Sequence, residues 1–205
     1  MVPHRGRAMA TASDERPVIG PVVVGPLGLE GDTQVDRRHH GGPDKALCVY
    51  PSEHLPGWSE RLRRDLRPGA FGENLSTVGV TEDDACIGDQ WRVGSTLLEI
   101  TYPRTPCVKL AARHRHPHLI RLVRETGRSG WYLRVLESGT LAAGDAVERV
   151  LRPDPAVSLV EVNAMLRGDG DVRGTARRLQ DVAAAPVAWR LALAEADRAR
   201  PPVRG

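Results

Sequence analysis

From Pro17 to about Val150, apolar residues come in short runs broken by glycine, proline and acidic residues: GPVVVGPLGLEGD, KALCVYP, IGDQWRVGSTLLEITYP, GWYLRVLESG and GDAVERV. Within WRVGSTLLEI and WYLRVLE they alternate with other residues, the period of a strand with one buried face, and IGD and AGD read as tight turns entering strands. Many short strands in series favour a closed or nearly closed β-barrel. Two stretches depart from this pattern. SEHLPGWSERLRRDL predicts a short helix in its second half, and PHLIRLVRETG predicts a helix with Pro117 near its first turn and Gly127 as its stop.

After LRPDPAV the period changes. Ser158 to Glu161 forms an S-x-x-E capping box, followed by Leu159, Val162 and Leu166 at helical spacing. GDGDVRG ends that helix, TARRLQDVAAA predicts a second, and a third starts around Pro186 in APVAWRLALAEADRA. The expected class is therefore α+β: a β-rich barrel over residues 16–152 and a small three-helix unit over 156–197. Residues 1–15 are expected to be disordered or an abbreviated start, and 198–205 a tail. Three helices of this length hold little core alone, so they are expected to pack on the barrel or on a second copy, which leaves a homodimer open.

Composition narrows the class. The three cysteines, Cys48, Cys86 and Cys107, have no CxxC spacing and an odd count, which points to a reducing, cytoplasmic compartment. No apolar run is long enough for a signal-peptide core or a membrane span. The net charge is +3, but acids and bases interleave and aromatics make up only 4% of the chain, so nucleic acid is not an expected partner. Of the 29 Lys and Arg residues, only Lys45 and Lys109 are lysines. Both fall in the most motif-like segments, where a compact ammonium and a planar guanidinium are not equivalent.

Three segments carry candidate chemistry. In RRHHGGPDKALCVY, His40 precedes Gly41 and Gly42, which allow a sharp turn or close approach to a ligand. PGAFGENLST places Glu73 and Asn74 after Gly72, and Asn offers both donor and acceptor. In TYPRTPCVKL, two prolines fix the loop before Cys107, with Arg104 and Lys109 beside it. Cations favour thiolate, the form that attacks electrophiles and binds soft metals. On these residues alone, a nucleophile and a soft-metal ligand stand level. Cys48, inside ALCVY, reads as a core thiol, and the alternating histidines of HRHPH (His114, His116, His118) read as a helix start at Pro117 rather than a metal site.

Taken in order, GLEGDTQVDRRHHGGPDKALCVY, FGENLSTVGVTEDDACIGDQWRVGSTLLEI, PRTPCVKL and GRSGWYLRVLESGTLAAGDAVE resemble the MOSC domain family, named for the C-terminal domain of molybdenum cofactor sulfurases. SLVEVNAML and APVAW resemble the three-helix extension of its YiiM-like subgroup, and together the resemblance covers roughly Val18 to Ala196. It implies a β-barrel that binds molybdenum cofactor, with Cys107 as the protein's molybdenum ligand. It also implies reduction of N-hydroxylated small molecules such as hydroxylaminopurines, amidoximes and hydroxylamines, with electrons from a separate reductase. His40, Gly41 and Gly42 match its HGG turn, Gly72, Glu73 and Asn74 its FGEN loop, and Arg104 and Cys107 its PRxPC loop. Lys109 and Arg134 are basic positions that could add cofactor contacts. At the front, Glu15 stands where the family carries a lysine, an acid that would repel a cofactor phosphate. The alternatives are a non-catalytic carrier of molybdenum cofactor or sulfur, and a cysteine-dependent hydrolase.

Overall fold

The computed structural model describes Val18, residues 20–31, 42–187 and 189–192, and the backbone of residues 2–4 and 7–9. The front contains a short antiparallel pair, β1 (Val2–His4) and β2 (Arg7–Met9), within the stretch expected to be disordered or an abbreviated start. Next come β3 (Val22–Gly25) and β4 (Gly28–Leu29), then β5 (Leu47–Pro51), whose five residues are all buried. After them run β6 (Leu75–Thr77), β7 (Gln90–Val93), β8 (Thr96–Pro103), β9 (Trp131–Glu137), β10 (Gly139–Leu141) and β11 (Val147–Leu151).

Six of these strands form one curled sheet in the order β11-β7-β8-β9-β5-β6, a half-barrel, and β10-β3-β4 form a second sheet. Neighbours in the large sheet are antiparallel except β5 and β6, which run parallel. Side chains alternate along a strand. The inward set, including Leu47, Val49, Leu98, Ile100, Trp131 and Leu133, fills the main core with Val24 and Leu141 of the second sheet.

The helices cover the two sides of this sheet. On one side lie α1 (Leu55–Leu62), α2 (Val108–His114) and α3 (Leu119–Thr126). They enclose a second cluster in which Tyr50 stacks flat on Phe71, ring centroids 4.2 Å apart, beside Trp58, Leu110, Leu119 and Val123. On the other side are α4 (Leu159–Arg167) and α5 (Val172–Asp181). Val157, Leu159, Val162, Leu179, Val182 and Ala185 belong to the same core as the sheet, so these helices pack on the barrel. A further helical turn follows Pro186, whose carbonyl accepts from the Trp189 and Arg190 amides.

Local signals explain the helix ends. Ser158 accepts from the Glu161 amide while Glu161 bonds back to the Ser158 amide, the reciprocal cap expected from the sequence. Gly127 ends α3 in the left-handed region at φ 69°. α3 starts at Leu119, two residues after Pro117, and α2 was not expected at all. Among the described residues no helix is long and apolar enough to cross a membrane.

Candidate functional site

β5, β9 and β8 are neighbours, and one row of opposed residues crosses them: Cys48 faces Tyr132, which in turn faces Tyr102. Because alternation sends Leu47, Val49, Trp131 and Leu133 into the core, Cys48, Tyr132 and Arg134 lie on the opposite face of the sheet. Over this row sits the 3-10 turn Pro43–Lys45. The Lys45 Nζ lies 5.4 Å from the Tyr102 ring centroid and 5.6 Å from that of Tyr132, a cation held over two aromatic faces. The Thr101 hydroxyl ties the turn to the sheet, 2.5 Å from the Asp44 carbonyl and 3.1 Å from that of Tyr132.

The chain leaves β8 through PRTPC and enters α2 with Cys107 as its N-cap. Cys107 is a half-buried thiol. Three residues earlier, the Arg104 amide donates to the Gly130 carbonyl at 2.9 Å, and its Nη2 donates to the Phe71 carbonyl at 2.5 Å. This pins the cysteine loop to the glycine loop beside it. The Tyr132 hydroxyl lies beside Arg104, whose Nη1 is buried with no hydrogen-bond partner among the described residues. Burial would lower the Arg104 pKa, but Cys48, Tyr132, Cys107 and Glu73 around it outweigh that and push it up. The guanidinium is therefore a fixed, enclosed positive charge. Burial, and then Cys48, raises the Tyr132 pKa; burial, and then Asp44, raises that of Tyr102. Both phenols stay protonated.

In the FGEN loop, Glu73 is buried and holds the loop closed. Its Oε1 accepts from the Gly69 amide at 2.7 Å and the Ser76 hydroxyl at 2.9 Å, and its Oε2 accepts from the Phe71 amide at 3.0 Å. Asn74 is committed to the sheet: Oδ1 accepts from the Cys48 amide at 2.8 Å and its own amide donates to the Cys48 carbonyl at 2.8 Å. The side chain thereby extends the β5–β6 pairing next to Cys48. Gly72 turns at φ 72° and Gly42 at φ 96°.

Behind the cysteine loop lies a buried polar relay. Glu82, 3% exposed, meets the His54 Nε2 at 2.6 Å through Oε2, and through Oε1 accepts from the Gly130 amide at 2.8 Å. Gly130 thus bonds Glu82 through its amide and Arg104 through its carbonyl. At φ 71° it leaves no room for a side chain, since a Cβ would collide with the Val49 carbonyl.

The structure brings Cys107, Arg104, Gly72 and Asn74 into adjoining loops. Lys109 sits half-buried in the first turn of α2. Arg134 is on the same face of the sheet but is matched by acids, 3.2 Å from Asp44 and 3.5 Å from Glu99, and its Nη2 donates to the Ala184 carbonyl at 3.0 Å. It therefore fastens the C-terminal helices to the site face. His40, Gly41 and Glu15 lie outside the described residues. Of the HRHPH histidines, His114 points into the second cluster, its Nε2 2.9 Å from the Ala70 carbonyl, while the His116 and His118 rings stand 6.2 Å apart. Tyr132, Tyr102 and Cys48 were missed as site residues because only strand pairing brings them together. Lys45 had a signal, as one of two lysines in an arginine-rich chain.

The family model described as the MOSC domain matches residues 36–148, more than half of the chain. The chain belongs to the MOSC domain family. Among its relatives, YflK of Bacillus subtilis is 38% identical over 187 residues, spanning 91% of this chain and 85% of that protein. A Gibberella moniliformis protein named "Reductase" is 36% identical over 72% of this chain, which spans 27% of that longer protein. The crystal structure of YiiM from Geobacillus stearothermophilus superposes with a TM-score of 0.78 at 37% identity, covering 89% of this chain and 87% of that one. The MOSC match takes in β5 to β10, and thus Cys107, Arg104, Gly72 and the Tyr132 row, while the helices from α4 onward lie beyond it.

Proposed function

We propose that this MOSC domain is a molybdenum-cofactor-dependent reductase of N-hydroxylated small molecules, with Cys107 as the protein ligand to the metal. The observation that carries this reading is the half-buried Cys107 thiol in a loop whose Arg104 presents a buried guanidinium nitrogen with no partner among the described residues. A thiolate suits a soft metal-sulfur centre, and an enclosed guanidinium with spare donors suits the phosphate or dithiolene end of a pterin cofactor. When bound, the cofactor supplies a two-electron redox centre. The fungal relative named as a reductase supports the same direction.

The remaining work falls to the chain. Arg104 provides the fixed positive charge, and the Gly42 and Gly72 turns bring backbone close to a ligand. Lys45 adds a cation whose position is set by Tyr102 and Tyr132, and the protonated phenols offer donors without adding negative charge. These rings, with Cys48, form an apolar floor that limits water at the reacting group. The overall change is R–NHOH plus two electrons and two protons giving R–NH2 and water. The electrons come from a separate donor protein that is oxidised in turn.

Purification from a host that makes molybdenum cofactor, beside Cys107→Ser, tests this reading. Near-stoichiometric molybdenum and pterin, with turnover of a hydroxylamine by a dye-reduced sample, are expected in the parent. The variant should keep its unfolding midpoint and lose the metal. Full metal and activity in Cys107→Ser would overturn the ligand assignment.

A further inference from the structure

The formal charge of the chain, +3, is unevenly placed. Residues 55–67 and 108–128, which contain α1, α2 and α3, hold ten Lys or Arg against three Asp or Glu, whereas the rest of the chain holds 19 against 26 less those three, a net negative balance. Eight of the ten are exposed arginines. Two of the three acids are already matched, Asp65 by Arg67 at 3.0 Å and Glu125 by Arg121 at 3.7 Å.

These segments form one surface. The Arg64 Nη1 donates to the His114 carbonyl at 3.2 Å, which joins the end of α1 to the end of α2. The Arg128 guanidinium lies against Gly57, which joins α1 to the turn after α3. Between them opens a cleft of about 430 Å³ lined by Gly57, Trp58, Arg61, Thr126 and Arg128. The face begins at Cys107 itself, the residue that caps α2.

We propose that this basic helical face docks an acidic electron-transfer protein, with Arg61 and Arg128 at the cleft receiving its carboxylates. The inference rests on the reductase reading above, which requires such a donor. Charge complementarity sets the orientation, and α2 leads from the contact to the candidate metal ligand. The donor's reduced cofactor loses two electrons per turnover, which pass to the N-hydroxyl group with two protons as water leaves. Nucleic acid fits the face less well. Trp58, the aromatic at the cleft, is 3% exposed, so its indole does not stand out to stack on a base.

The test uses the cofactor-loaded chain and a purified acidic flavodoxin as probe, with binding and turnover measured separately at low and high salt. Arg61→Glu combined with Arg128→Glu should weaken flavodoxin binding about tenfold or more, and most strongly at low salt. Its turnover with a small-molecule reductant should be unchanged. Arg149→Glu on β11 should leave binding unchanged, whereas Arg61→Glu alone, an equal charge change, should weaken it. Wild-type binding by the double variant, or equal weakening by Arg149→Glu, would overturn the docking face. So would a double variant that loses a single-stranded oligonucleotide but keeps flavodoxin. Patch-dependent binding without dye-driven turnover in the parent would instead overturn the reductase reading and leave the face standing.

Discussion

The two faces of β5, β8 and β9 are built from alternate residues of the same strands and obey different rules. Inward, Leu47, Val49, Leu98, Ile100, Trp131 and Leu133 need only fill volume, because apolar contact is non-directional. Outward, Cys48, Glu99, Thr101, Tyr132 and Arg134 each face a specific neighbour, and Arg104, Glu73, Glu82 and His54 complete a set of buried or half-buried polar groups. A buried polar group without a partner is costly, so that face depends on register and loop position to within a hydrogen bond's length. The rigid apolar face supplies that precision.

The largest effect is expected where the two faces meet. Gly130→Ala forces a side chain into the Val49 carbonyl at a left-handed backbone position, and should cost about 3 kcal/mol or more in urea unfolding while also stripping bound molybdenum. Two adjacent residues then separate the faces. Leu133→Ala should cost about 3 kcal/mol of stability and leave metal content per folded protein unchanged. Tyr132→Phe should cost about 1 kcal/mol and lower cofactor retention, since it removes the buried hydroxyl beside the Arg104 guanidinium. Equal metal loss in both variants would erase the distinction between the faces.

The smallest effect is a pH dependence on the polar side. Burial lowers the His114 pKa from its ordinary value of 6.5, so the unfolded chain takes up the proton more readily than the folded one. Stability contributed by neutral His114 is complete above about pH 6.5 and declines as pH falls below that value. Replacement by Gln, which keeps a donor toward the Ala70 carbonyl, should flatten the unfolding midpoint between about pH 7 and pH 5. An unchanged slope would show that His114 does not titrate there.

Much of the inward face was legible because alternation and capping are local. WYLRVLE, the Ser158–Glu161 box and the Gly127 stop each carry their signal within a few residues. α2 was not legible: VKLAARH is short, its N-cap is a cysteine that makes no side-chain capping bond, and a left-handed Arg115 ends it. β6 escaped because its partner β5 is distant in sequence and the pairing is parallel, with Asn74 supplying the link. The loops around Cys107 were readable as motifs, but the acids opposite Arg134 come from Asp44 and Glu99, and no local pattern joins those positions to it. The row of Cys48, Tyr132 and Tyr102 exists only once three strands are in register.

That register has a guardian in Gly130. Its amide is taken by Glu82, its carbonyl by Arg104, and its α-carbon fits against β5 only without a side chain, so β9 can enter the sheet at one residue and no other. A slip by a single position would drive Trp131 and Leu133 among the charges and bury Tyr132 and Arg134 in oil. The glycine therefore acts as a proofreading step in folding: a chain that pairs one residue out of place is denied both its core and its site together.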